Sequence, residues 1–277
     1  MKKLIAMSMI ACMALSMTAC GSKEGAPSAD TEAPAQTEGA ENEETPAADT
    51  TGGKTWIVAM DTVFPPFEFT NESGEFVGID VDLLKAIAED QGFEYEIQSV
   101  GFDAALAAVE AGQADALLAG ASITEERINN GWIFSDGYYN ATQTFAVAAG
   151  SEIKSFEDLA GKNVAVKNGT EGKTFAESIK DEYGFTISVF EDSPNMYQDV
   201  IGGNSAACVE DTPIMEASIK TGNVALEIPE GMTNEGAAYG FGIKDEANQV
   251  LLDMFNAGLK SIRENGTYDE IIAKYVN

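Results

Sequence analysis

The sequence predicts an α/β protein of two similar lobes, each a mainly parallel sheet with helices on both faces and a cleft between them. Three observations carry this expectation. Strand and helix patterns alternate throughout residues 54–277. The βαβα order occurs on both sides of residue 150, and that order favours parallel strands joined by crossover helices. The 224 residues of this stretch suffice for one large or two small α/β lobes. No short tandem repeat is visible.

Trp56-Ile57-Val58-Ala59-Met60 is a short apolar run with a β-branched centre, the pattern of a buried strand. Asp61-Thr62-Val63-Phe64-Pro65-Pro66 follows as a loop, because proline has no amide to give a ladder. From Asp80 to Gln91 the spacing of Val81, Leu84, Ile87 and Ala88 puts them on one helical face, and Gly92 ends the helix. Phe93, Tyr95 and Ile97 alternate with Glu94, Glu96 and Gln98 as in a half-buried strand. A helix over Phe102–Ala111 stops at Gly112, and Ala114–Ala119 reads as a buried strand. The order returns as strand Asn163–Lys167, helix Thr170–Lys180, strand Thr186–Phe190, helix Asn195–Ile201 and strand Ala206–Glu210. Glu246–Arg263 carries Val250, Leu251, Met254, Leu259 and Ile262 on a helical stripe.

The residues before this region read differently. Met1-Lys2-Lys3 precedes sixteen mostly apolar residues, the pattern of a secretory signal over 1–19 and too short to span a ~30 Å hydrocarbon core. Residues 21–53 hold no aromatic or branched aliphatic side chain, so they cannot bury enough surface to offset chain entropy. We read 20–53 as a disordered spacer whose eight acids repel and extend it. Cys12 is lost with a cleaved signal, and Cys208 alone cannot form an internal disulfide.

The chain carries 46 acids, 16 bases and no histidine, a formal net charge of −30. Without the signal and spacer the balance is still about −25. Such a surface repels nucleic acid. Lack of histidine removes the Ser-His-Asp and Cys-His triads, histidine metal sites and the commonest neutral-pH proton shuttle. There is no GxxxxGK[ST] loop for a nucleotide and no D-x-D-x-D-G spacing for a cation, so no cofactor or metal is expected.

GIDVDLLKAIAED (Gly78–Asp90) resembles the signature of the family 3 extracellular solute-binding proteins, and LLAGASITEERINNGWIFSDGYY (Leu117–Tyr139) resembles that family's most characteristic stretch. VAVKNGTEG (Val164–Gly172), ACVEDTP (Ala207–Pro213) and IRENGTYDEIIAKY (Ile262–Tyr275) match in the same order. Met17-Thr18-Ala19-Cys20 resembles the lipobox of bacterial lipoproteins, which implies acylation of Cys20 (the palmitate-type anchor) and attachment to the outer face of the cytoplasmic membrane. The resemblance implies a periplasmic-binding-protein-like clamshell of type II. Lobe 1 would be 54–137 plus 240–277 and lobe 2 would be 142–235, with hinge crossings near Gly137–Ala141 and Gly236–Tyr239. It implies a monomeric carrier, not an enzyme, that captures a free amino acid and hands it to an ABC transporter permease.

The site follows from what an amino acid presents: a carboxylate, an ammonium and a side chain. Ser122-Ile123-Thr124-Glu125-Glu126-Arg127 offers a strand-to-helix turn with a guanidinium, which can meet a carboxylate bidentately. A surface ion pair with Glu125 or Glu126 is the simpler reading of Arg127 taken alone. By resemblance, Arg127 holds the α-carboxylate with Ser122 and Thr170. Asp211 sits where it could cap the next helix; by resemblance it holds the α-ammonium with the Gly120 carbonyl and the Ser122 hydroxyl. Phe64 and Phe102 match the aromatics that sandwich the ligand. Asp61 and Lys167 match the pair that contacts a carboxamide in the glutamine-binding branch, so glutamine is the expected ligand. Glu171 stands where a small residue is common and Glu210 where the glutamine binders have histidine; extra negative charge there would admit a basic, polar or sulfur-containing amino acid such as arginine or cystine. Other readings are a dehydratase on the same fold using Glu171 or Glu210 as its acid or base, a sensory ectodomain with a separate membrane partner, and a structural lipoprotein.

Overall fold

The computed structural model describes residues 53–276. The signal, Cys20 and all of the spacer except Gly53 lie outside the described residues.

Two five-stranded sheets organise the molecule. The first has the order Glu94–Ser99, Thr55–Met60, Ala116–Leu117, Gly242–Ile243, Ile133–Phe134. Thr55–Met60 is parallel to both neighbours, with Thr55 opposite Glu94 and Val58 opposite Ala116. The second sheet has the order Thr186–Phe190, Asn163–Lys167, Ala207–Asp211, Gln143–Ala148, Leu226–Glu227. Its first three strands are parallel, with Val164 opposite both Ile187 and Ala207. In each sheet the fourth strand, Gly242–Ile243 or Gln143–Ala148, runs antiparallel to both of its neighbours, and the other four share one direction. The first three strands are joined by crossover helices, whereas the last two lie beside the segments through which the chain passes between sheets. Each sheet is therefore mainly parallel, as expected, with one reversed strand. Tyr139–Ala141 and Ala237–Tyr239, on those passing segments, pair antiparallel as a small sheet of their own.

Strand alternation feeds a core on both faces of each sheet. Val58 and Met60 pack with Leu83, Leu84 and Ile87 of the helix Ile79–Gln91 and with Leu251, Phe255 and Leu259 of the helix Gln249–Glu264. Ala59, on the other face, meets Phe102, Ala105 and Val109 of the helix Phe102–Glu110. In the second sheet Val164 and Val166 pack with Ala176 and Phe175 of the helix Glu171–Tyr183. Ala165 and Cys208 face Met196 and Val200 of the helix Ser193–Ile201 and Met215 of the helix Thr212–Lys220.

Two sequence expectations shift. The strand expected over Ala114–Ala119 is only Ala116–Leu117, because its ladder with Val58 and Ala59 ends as the chain turns toward Gly120. The helix expected over Glu246–Arg263 begins as a 3-10 turn, Glu246–Asn248, before Gln249–Glu264. No helix among the described residues is long and apolar enough to cross a membrane.

Candidate functional site

The parallel strands end at a common place. Thr55–Met60 delivers Asp61, Ala116–Leu117 leads to Gly120 and Ser122, Asn163–Lys167 ends on Lys167, and Ala207–Asp211 ends on Asp211. Ligands of open α/β sheets bind outside these carboxyl ends. Phe64, Phe102, Gly120, Ser122, Arg127, Lys167, Thr170, Glu171 and Asp211 line one cavity there, with Asp61 against Lys167. All nine residues expected from the sequence are brought together.

Arg127 lies on the short helix Glu125–Asn129, whose cap is the Thr124 hydroxyl accepting from the Arg127 amide. Its guanidinium donates to the Ser122 carbonyl at 2.6 Å and, across the cleft, to the Gly169 carbonyl at 3.1 Å. It forms no ion pair with Glu125 or Glu126 among the described residues. Burial pushes its pKa down, and Glu171, Asp211 and Glu126 hold it up, so it stays a cation. Two of its donors are spent on carbonyls, and the guanidinium lines the cavity with donors left over that suit a carboxylate once the cleft opens.

Asp211 stands at the N-cap position of the helix Thr212–Lys220 without a side-chain capping bond. Its carboxylate instead accepts from the Gln143 amide at 2.6 Å and from the Tyr239 hydroxyl. Burial first, then the nearby charge of Glu210, raises its pKa to about 7. A buried carboxylate held near neutrality by desolvation gains from an incoming ammonium.

Lys167 and Asp61 form a buried ion pair that joins the two sheets' strand ends. Asp61 also accepts from the Thr62 amide at 2.6 Å. The Lys167 ammonium lies 4.9 Å from the Phe64 ring centre and 5.6 Å from that of Phe102, and the Arg127 guanidinium lies 5.7 Å from Phe102. The two rings thus screen the cations from water and offer them their negative faces. Phe64 closes on Gly120, which has φ +55; a Cβ there would come 2.5 Å from the ring. The Thr170 hydroxyl caps its own helix and donates to the Lys167 carbonyl at 2.8 Å, so it faces the cavity from a position already fixed.

The sequence reading left Gln143 and Tyr239 out of the site and counted Glu171 only as extra charge near it or as the acid or base of an enzyme. Glu171 lines the cavity, half-buried, with its pKa raised by desolvation and lowered by Arg127. Gln143 is a fully buried amide that opens, with Thr144, the largely apolar strand Gln143–Ala148, and that oddity was the available signal. Tyr239 had no comparable signal. Glu210 points the other way: Ser193 and Tyr197 donate to it at 2.6 Å and 2.9 Å, behind the strand. Glu210 therefore reaches the cavity through Asp211, whose backbone amide donates to it at 3.0 Å and whose carboxyl feels its charge.

The enclosed space is about 10 Å³, room for one water. An amino acid enters only if the lobes part and the Arg127–Gly169 and Lys167–Asp61 contacts across the cleft open. A larger groove of about 380 Å³ between Val63, Pro65 and Phe69 on one side and Tyr197 and Val224 on the other has no charged residue in its lining. Among the described residues no group of His, Cys, Asp and Glu is arranged to hold a metal ion.

The model of the bacterial extracellular solute-binding proteins, family 3, matches residues 56–277. A probable histidine-binding protein of Neisseria gonorrhoeae is 30% identical over 99% of this chain and 96% of its own. Among solved structures, an ancestral arginine-binding protein bound to arginine is 33% identical with a TM-score of 0.74, over 80% of this chain and 98% of that one. Substrate binding domain 2 of Lactococcus lactis GlnP, in open conformation, is 38% identical over 84% of this chain and 97% of its own, with a TM-score of 0.56.

Proposed function

We propose that this chain, which belongs to the bacterial extracellular solute-binding proteins of family 3, captures a free amino acid between its lobes for an ABC importer. The carrying observation is the convergence of Arg127 and Asp211 in the lining of one buried cavity, a cation and an anion to meet the two charges of a zwitterion. Ligand enters with the lobes apart. Its α-carboxylate meets Arg127, and its ammonium meets Asp211 with the Gly120 carbonyl and Ser122. The closed form is then populated by the extra contacts that closure adds. It docks on a permease, and Cys20, acylated, holds the protein at the outer face of the membrane as a monomer. The chain carries rather than transforms its ligand.

Glutamine is the side chain this site suits best. A carboxamide inserted between Lys167 and Asp61 accepts from one and donates to the other, so neither buried charge loses its partner. One observation favours a second reading: Glu171, a third carboxylate in the cavity lining, adds attraction for a cationic side chain. Relatives named for histidine and arginine agree with that reading. Glu210, turned away into its own lobe, supports neither.

A thermal-shift screen of the purified protein against the twenty amino acids separates them. A ligand at about 10³ times its Kd adds about 4 kcal/mol of stability. Glutamine giving the largest shift supports the carboxamide reading; arginine or histidine giving it, with glutamine inert, moves the assignment to a cationic ligand.

A further inference from the structure

Beneath the cavity, in the first lobe, lie two buried carboxyl groups that ligand recognition does not use. Glu68, on the short strand Glu68–Thr70, is fully buried, and neither of its carboxyl oxygens has a hydrogen-bond partner among the described residues. Asp80, in the first turn of the helix Ile79–Gln91, is equally buried, and its Oδ1 also lacks a partner. The strand Glu68–Thr70, paired antiparallel with Val63–Phe64, is locked to the helix: the Asp80 amide donates to the Phe67 carbonyl at 2.9 Å. The two carboxyls face one another with only acceptor atoms between them. Leaving three buried oxygens unsatisfied is costly, and a single proton shared between one Glu68 oxygen and Asp80 Oδ1 satisfies two of them and removes the repulsion between the carboxylates.

The other oxygen of Asp80 reaches the ligand site. Oδ2 accepts from the Gly120 amide at 2.9 Å and from the Tyr138 hydroxyl at 2.8 Å. Gly120 lines the cavity, and Tyr138 precedes the strand Tyr139–Ala141 and donates its own amide to the Tyr239 carbonyl at 2.8 Å. Asp80 thus ties one wall of the cavity to both segments that pass between the sheets.

We propose that Glu68 is a positioning residue for ligand binding: it keeps one proton and donates it to Asp80, which in turn holds Gly120 and Tyr138 in place. The groups facing Glu68 are Asp80, Asp61, Lys167 and Tyr138, and those facing Asp80 are Glu68, Tyr138 and Tyr268. Desolvation first, then Asp80 and Asp61, push the Glu68 carboxyl up, and Lys167 opposes them without reversing the direction. The role rests on the proposed ligand site for its purpose, but the proton itself is read without any ligand.

The test compares the wild type with Glu68→Gln, whose amide donates permanently in place of the acid, and Glu68→Ala, which cannot donate. Infrared difference spectra in D₂O at about pH 8, above the range where Asp211 holds its proton, report a protonated carboxylic acid directly. The expected result is an acid C=O band in the wild type that Glu68→Gln removes, with the Gly120 amide resonance in the same place in both. Calorimetry with L-glutamine and L-arginine, whichever binds the wild type, should give Glu68→Gln an affinity within about threefold of wild type, and folded Glu68→Ala a loss of about tenfold or more. If the band is missing from the wild type or survives in Glu68→Gln, the shared proton is refuted. If Glu68→Ala binds as tightly as wild type, or Glu68→Gln as weakly as Glu68→Ala, the positioning role is refuted. If neither amino acid binds any variant while the band behaves as expected, the proton assignment stands and the ligand reading fails.

Discussion

Asp61 and Lys167 meet across the cleft with almost no solvent contact, so each depends on the other for its charge. Asp61→Ala or Lys167→Ala leaves one buried charge uncompensated and should cost about 3–5 kcal/mol of stability in urea unfolding. The double change to Leu and Met should recover most of that loss while removing recognition of a carboxamide. Asp211 makes a different prediction. Its pKa near 7 in the unliganded protein means that below pH 7 it is largely protonated and cannot pair with an ammonium. Affinity for a zwitterionic amino acid should therefore fall as pH drops through about 7, and Asp211→Asn should bind weakly with a flat profile. Arg127 and Lys167 were legible through the family motifs they sit in, and Asp61 through the family position it matches; Arg127 taken alone reads as a surface ion pair. Gln143 and Tyr239 were not, since their role is to hold Asp211, and that pairing spans 68 positions in one case and 28 in the other.

At the scale of elements, the amphipathic helices Ile79–Gln91 and Glu171–Tyr183 and the strand Thr55–Met60 were legible in periodicity and glycine stops. The helices Glu125–Asn129 and Thr212–Lys220 were legible only as helix starts after Thr124 and Asp211, because few or no buried apolar positions form a stripe that would mark their extent. The strand Gln143–Ala148 escaped because it is buried on both faces and shows no alternation. Gly236, beside the strand Ala237–Tyr239, has φ +75, and a Cβ there would lie 2.2 Å from the Ala141 carbonyl oxygen. Gly236→Ala should thus break the pairing of Ala237 with Ala141, lowering stability by about 1–3 kcal/mol or more and altering lobe closure seen by small-angle scattering. A buried acid also sets a pH slope. Asp211 binds a proton in the folded state up to about pH 7, whereas unfolded aspartate releases it near 3.8. Its contribution to stability is complete below the unfolded value and is lost as pH rises through about 7. The unliganded protein should melt at a lower temperature at about pH 8 than at about pH 6, and Asp211→Asn should reduce that difference.

For the whole molecule, charge acts on two scales. A formal −30 sets what the surface repels, while the cavity gathers Arg127 and Lys167 against Asp61, Asp211 and Glu171. The two lobes share that cavity, so binding and closure are one event, and each lobe alone presents half a site. The most direct measurement is a calorimetric titration of the wild type and Arg127→Ala with L-glutamine, repeated with L-arginine. The account predicts one-to-one binding by the wild type and a loss of about 2–5 kcal/mol in Arg127→Ala, with the fold intact by circular dichroism. Unchanged affinity in Arg127→Ala would remove the guanidinium from the site and contradict the account.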